Sequence, residues 1–197
     1  MYNKQMRNII FIDLDGVITD WCTPAAELLG FDAGDPVVQA ALIGSKTALD
    51  ELAGAGEVDR CIDAAGISFW AKLKKLPWAD ELIQRVIDTK LGDVAFLSKP
   101  GKWLGAYTGK AMWQRDNYPN IPLILCRDKG MVASPDSFLI DDDRKQIRQF
   151  FARHGWTHHW KDQFYLMRAG PKLIKSELEL LTSVLEESVG DDQLPLL

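Results

Sequence analysis

Cysteine and histidine are scarce, at three residues each among 197. Cys22, Cys61 and Cys126 form no CxxC pair, which excludes a disulfide framework or a zinc ribbon and makes a reducing cytosol the simplest setting. They read as small core hydrophobes. His154, His158 and His159 lack a spaced partner set, so they read as surface or strand positions and not as metal ligands. No apolar run approaches the roughly 20 residues that cross a bilayer, and MYNKQMRN leads straight into the first strand with no room for a signal peptide. A basic excess is missing too. The formal net charge is −5, which speaks against long nucleic acids but not against nucleotides. Repeats and low-complexity tracts are absent. With 47% hydrophobic and 26% charged residues, the chain is expected to be a soluble globular protein with one real core and room for a small insertion.

What is present begins at Ile9 to Ile12, four β-rich apolar residues of the kind found in a strand buried on both faces. The spacing then predicts a helix over Ala25 to Leu29, entered at Thr23 and Pro24 and stopped by Gly30. Short helical patterns follow at Val37 to Ile43 and Lys46 to Leu52, and Ile67 to Leu76 continues them up to Pro77. Residues 21–76 therefore read as a small helical insertion, with residues 1–20 and 77–197 forming an α/β core. In that core a helix is predicted over Ala79 to Leu91, with Leu82, Ile83, Val86, Ile87 and Leu91 as its stripe. Strands are predicted at Val94 to Leu97, Leu123 to Cys126, Phe138 to Ile140 and Thr157 to Trp160. Helices are expected over Gly105 to Tyr118, over Lys145 to Arg153 with Ile147, Phe150 and Phe151 inward, and over Pro171 to Val189, followed by a polar, frayed tail. Alternating strands and helices of this kind specify a Rossmann-like parallel sheet flanked by helices.

The chemistry gathers at predicted strand ends, where open α/β sheets bind their ligands. Asp13 closes the first strand. Asp15 follows two residues on, and Gly16 lets the chain turn there. Two adjacent carboxylates repel, and oxygen-only ligands favour Mg²⁺ as the remedy. Ser98 ends a second strand, Lys110 lies on the following helix, and Asp141, Asp142 and Asp143 end a third strand. Together they describe a phosphate site. A carboxylate nucleophile, Asp13, can take a phosphoryl group, and Asp15 can serve as general acid and then base. Ser98, Lys110 and Gly16 are the expected phosphate-binding residues, with Lys110 preferred over Lys99 and Lys102 as the cation. The metal ligands are expected among Asp13, Asp15, Asp141 and Asp142, with the register of the strand end leaving Asp141, Asp142 and Asp143 open within the triple. Asp142 is the first choice in the triple aspartate, with Asp141 behind it or accepting from Lys110, and Asp143 with Arg144 capping the next helix.

DLDGV after an apolar strand, FLS, a downstream lysine and FLIDDD resemble the four motifs of the haloacid dehalogenase superfamily of phosphatases. ISFWAKLKKLPW, Lys110 with Trp113, and LILCRDKGMVASPDSFLIDD resemble the 5′(3′)-deoxyribonucleotidases in particular, over roughly Ile9 to Phe150. That resemblance implies a Rossmann-like core with a helical cap, phosphate transfer through Asp13, and an Asp15 that lends its backbone carbonyl to Mg²⁺. It also implies a nucleotide-binding pocket whose aromatic residues are Trp21, Phe69 and Trp70, because a base sandwiched by aromatics is held by stacking. Arg127 and Asp128 match the family's Arg-Asp-Lys and read either as support for the site or as a surface ion pair. Two departures stand out: Leu97-Ser98-Lys99-Pro100 replaces Thr-Ser-Pro, and Trp78 stands where a glycine is usual. The expected activity is Mg²⁺-dependent hydrolysis of a (deoxy)nucleoside monophosphate, with no membrane partner. The alternatives are a phosphatase for another small phosphate ester or a polynucleotide end, and a non-catalytic phosphate-binding module. Oligomeric state, a homodimer included, is left open by the sequence.

Overall fold

The computed structural model describes residues 9–42, 46–102 and 104–188. Its centre is a five-stranded, all-parallel sheet of β1 (Ile9–Ile12), β4 (Asp93–Ser98), β5 (Leu123–Leu125), β6 (Ser137–Asp141) and β7 (Trp156–His159), in the order β5-β4-β1-β6-β7. β1 is central, with Ile9 in register with Asp93 on one side and Ser137 on the other. Its alternation explains why all four residues are apolar. Ile10 and Ile12 enter the larger core, whereas Phe11 faces the opposite side with Ala95, Leu97, Leu139 and Phe150. Connections leave β1 in one direction toward β4 and β5 and in the other toward β6 and β7. The crevice where such a sheet takes ligands therefore lies beyond the carboxyl end of β1.

Between β2 (Thr19–Asp20) and β3 (Lys74–Lys75) run α1 (Cys22–Leu28), α2 (Pro36–Leu42), α3 (Lys46–Ala53) and α4 (Glu57–Ala71). β2 and β3 pair antiparallel, so this helical excursion departs and returns side by side. The sequence pattern does not reveal that ribbon, because two-residue strands have no readable period. α4 bends at Gly66, whose backbone (φ 61°, ψ −143°) lies outside the reach of residues with a side chain. Its second half packs on α6 (Leu104–Asn117) at glycines: a Cβ on Gly109 would come within 2.5 Å of Trp70 Cβ and 2.7 Å of the Ile67 carbonyl.

α5 (Ala79–Asp88) buries Leu82, Ile83 and Val86, but Ile87 is exposed, a correction to its predicted stripe. α7 (Arg144–Phe151) is capped by Asp143, whose carboxylate accepts from the Lys145 N–H at 2.7 Å. Phe150 is inward as expected; Phe151 is not, because it lies about 100° further round the helix and faces solvent. β7 is shifted by one residue from its predicted span. A short 3-10 turn at Lys129–Val132 and α8 (Gln163–Ala169) are additional, the latter capped by Asp162. α9 (Pro171–Glu187) docks through Leu178, Leu181 and Leu185. Trp78 fills core space, donating from Nε1 to the Val17 carbonyl at 2.8 Å and packing against Trp160. Ile43, Val189 and the tail after it lie outside the described residues.

Candidate active site

Asp13 extends β1 by one residue, its N–H donating to the Ile140 carbonyl at 2.9 Å. This ladder bond fixes the carboxylate at the sheet's carboxyl edge, where it is 6% exposed. Its partner is Lys129. The Lys129 Nζ lies 2.7 Å from Asp13 Oδ1 and 2.6 Å from Asp141 Oδ2, and the lysine is itself 1% exposed. Burial opposes its charge, but the two aspartates outweigh that and hold its pKa above the ordinary lysine value. Asp141 also accepts from the Asp143 N–H at 2.8 Å. Asp141 therefore pairs with Lys129, not with Lys110 as one reading of the sequence has it.

Lys129 is the residue that the sequence reading missed. Its signal in the sequence is the lysine of the Arg-Asp-Lys resemblance at residues 127–129. Its position explains the choice of lysine: Asp128 caps the 3-10 turn, accepting from Gly130 N–H at 3.1 Å, and so aims Lys129 back under β1 and β6.

Oxygen atoms of Asp13, Asp141 and Asp142 lie within 4.8 Å of one another. Burial pushes Asp141 up to about 7 and Asp142 well above the usual carboxylate range; in both, the neighbouring aspartates add to the rise and Lys129 opposes it. One lysine thus pairs with two of three crowded carboxylates. Asp13 Oδ1, though near Lys129, is not aligned with any hydrogen-bond donor. Three carboxylates whose oxygens lie this close form the all-oxygen donor set that a hard divalent cation takes. Gly16 makes room for this cluster: at φ 79° it allows the turn, and a Cβ there would sit 2.2 Å from Asp142 Oδ2. Its N–H donates to the Thr19 carbonyl at 2.9 Å. The observed contribution of Gly16 is therefore space.

A second buried lysine organises the other side. Lys110, 1% exposed on α6, forms an ion pair with Asp15 and donates to Ser98 Oγ at 2.9 Å and to the Lys99 carbonyl at 2.8 Å. Thr19 Oγ1 approaches Asp15 Oδ1 at 3.4 Å. Burial raises the Asp15 pKa despite Lys110, with Asp13 adding to the rise. Trp70 lies beneath Lys110, whose Nζ is 4.7 Å from the ring centroid. Ser98, Lys110, Asp15 and Trp70 are thus brought together, while Lys99 and Lys102 are exposed at the rim.

Asp13, Asp15, Trp70 and Lys129 open into a cleft of about 1380 Å³ that is also lined by Trp21, Ile62 and Cys22, whereas Ser98 and Lys110 are buried and do not line it. Of the three expected aromatics, Trp21 and Trp70 line it. Phe69 is buried edge-on against Trp70, with ring centroids 5.0 Å apart, and does not line the cleft. The alternation of α4 accounts for this, because consecutive helical residues face different sides. Of the two readings of Arg127 and Asp128, Asp128 takes the surface ion pair, with Arg153 at 2.9 Å, and Arg127 lines the cleft. His158 and His159 are strand positions on β7, as expected, with His158 buried 3.3 Å from Glu177 Oε1. Cys22 is buried, whereas Cys61 and Cys126 are only partly so.

A family model described as 5′ nucleotidase, deoxy (pyrimidine), cytosolic type C protein matches residues 7–163. Among solved structures, a haloacid dehalogenase-like family hydrolase from Xanthomonas campestris aligns with a TM-score of 0.54 at 12% identity, covering 98% of this chain and 97% of that one. A hydrolase from Streptococcus pneumoniae TIGR4 aligns with a TM-score of 0.51, also at 12% identity, covering 84% of this chain and 98% of that one. At such identity these two speak for the fold. Comparison with curated proteins finds no match. No helix among the described residues is long and apolar enough to cross a membrane.

Proposed function

Because the chain belongs to the 5′ nucleotidase, deoxy (pyrimidine), cytosolic type C family of phosphatases, we propose that it hydrolyses deoxynucleoside monophosphates in the cytoplasm, through a phosphorylated Asp13 and with Mg²⁺ as cofactor. The observation that carries the reading is the pair of adjacent carboxylates in different environments. Asp13 is held against Lys129, and Asp15 against Lys110.

Asp13 attacks phosphorus, the bond to the ester oxygen breaks, and a proton from Asp15 goes to the departing alkoxide. The raised pKa of Asp15 suits it to carrying that proton. Water then attacks the aspartyl phosphate, Asp15 takes a proton from it, and phosphate leaves with Asp13 restored. Ser98, Lys110 and Lys129 supply a hydroxyl and two cations for the phosphoryl oxygens. Asp13 and Asp142, with the Asp15 carbonyl, would hold Mg²⁺, and Asp141 would support them. When bound, the ion neutralises charge on the transferring group. Residues 21–76 form the cap in this reading, with Trp21 and Trp70 stacking on the base and Phe69 packing behind Trp70.

Asp13→Asn is expected to abolish turnover in Mg²⁺ while circular dichroism and thermal unfolding stay those of a folded protein. Wild-type rates in that variant would remove Asp13 as nucleophile. A panel of dUMP, dTMP, ribonucleotides and hexose phosphates tests the substrate: deoxynucleotides should lead, and equal rates across the panel would leave only the phosphatase.

A further inference from the structure

The cationic rim of the cleft has no part in the chemistry above. We propose that it is a subsite for a second phosphate, so that the preferred ligand is a nucleoside bisphosphate whose other phosphate rests on Lys99 and Lys102, with Arg127 beside them; this rests on the nucleotide reading of the same cleft.

The placement comes from the sheet. β4 and β5 are neighbours on one side of β1, and the Cys126 N–H donates to the Ser98 carbonyl at 3.0 Å, so the loops after these two strands leave together. Lys99 and Lys102 stand on the first loop and Arg127 on the second, and all three line the cleft. Lys99 and Lys102 are exposed, and among the described residues none of the three side chains makes an ion pair. No acidic residue of these two loops lines the cleft. Across β1, the β6 and β7 ends present Asp142, Asp143 and Asp162 alongside Arg144 and Lys161, a mixed surface. The rim is therefore electropositive on one side only, in a chain whose net charge is −5.

Position relative to the reaction centre is fixed by the backbone. The Lys99 carbonyl accepts from Lys110 Nζ at 2.8 Å, the same nitrogen that binds Ser98 Oγ. Lys99 is thus tied directly to the group expected to hold the reacting phosphate, while its side chain leaves toward solvent. A ligand with one phosphate at Asp13 and a base against Trp21 and Trp70 would leave its sugar near this loop, where a second phosphate finds cations. It is also the place where the sequence departs from Thr-Ser-Pro.

Calorimetric binding to the Asp13→Asn variant in Mg²⁺ tests this, with dTMP and thymidine 3′,5′-bisphosphate as ligands. The bisphosphate should bind about fivefold tighter or more, the scale of two exposed ion pairs, and the advantage should shrink with added salt. Adding Lys99→Ala and Lys102→Ala should weaken the bisphosphate several times more than dTMP. Equal affinities, or a preference that survives both substitutions, would overturn the subsite. Turnover of dTMP by the unaltered protein is measured separately, so failure of the subsite and failure of the nucleotidase reading are told apart.

Discussion

Lys129 shows how much of this site depends on one side chain. It is enclosed between Asp13 and Asp141, and removing its charge leaves two buried carboxylates facing each other. Lys129→Met should lower kcat by about 100-fold or more, the scale of losing one aligned charge at a phosphoryl group. Lys129→Arg should not restore it, because a forked guanidinium has no room where a single nitrogen serves both carboxylates. Steady-state kinetics on the same ester, with unfolding curves as control, would decide; near-normal kcat in Lys129→Met would show that the lysine is structural. Residue by residue, the sequence was most legible where chemistry and chain position coincide. Asp13 and Asp15 follow an unmistakable strand, and Lys110 is placed by a helix. Lys129 was hidden because it follows a three-residue strand in an irregular turn, where no period shows which way a side chain faces. Phe69 was misassigned for the opposite reason: an adjacent aromatic pair on a helix cannot turn both rings to one pocket.

At the level of elements, two contacts carry consequences that no strand or helix pattern announces. The α4–α6 contact is made where Gly109 meets Trp70 and Ile67. Gly109→Ala should destabilise the protein by about 1–3 kcal/mol through overpacking, and it should also weaken nucleotide binding by displacing Trp70. Urea unfolding read with ligand titration separates the two effects; a variant unchanged in both would mean that the helices part without cost. α9 is attached to β7 through Glu177, which is 2% exposed and accepts from His158 at 3.3 Å and from Lys161. Burial works to raise the Glu177 pKa, but its two partners outweigh it and the net shift is downward from 4.5. A carboxylate depressed in the folded state contributes stability above its unfolded pKa and loses it as pH falls through the folded value. The stability advantage of the wild type over Glu177→Gln should therefore be full at neutral pH and shrink below about pH 4.5. A difference independent of pH would locate the effect in packing instead. These elements themselves were largely readable, since the α9 stripe and the α7 cap follow from spacing, but their docking partners were not.

For the whole molecule, the parallel sheet with β1 in its interior was the most legible feature, because four consecutive β-rich apolar residues suit a strand covered on both faces. That topology also concentrates negative charge. Asp13 and Asp15 arrive from β1, and Asp141 and Asp142 from β6, at one edge of an already acidic chain. Folding therefore gathers carboxylates that the unfolded chain keeps apart, and burial raises Asp141 and Asp142 in consequence. A cation bound by the folded state alone must then stabilise the fold. At a Mg²⁺ concentration of about 100 times Kd the gain is about 2.7 kcal/mol. For a chain of this length that corresponds to a rise in Tm of roughly 5–10 °C, at about 2–4 °C per kcal/mol. Asp142→Asn separates attraction from repulsion. Without Mg²⁺ its Tm should equal or exceed that of the wild type, because one crowded charge has gone; with Mg²⁺ the rise should be largely lost. Thermal scans in EDTA and in excess Mg²⁺ read both effects. An undiminished Mg²⁺ shift in Asp142→Asn would move the cation away from the Asp13–Asp142 edge, and a large fall in Tm in EDTA would mean that the carboxylate is held by the fold for reasons other than the metal.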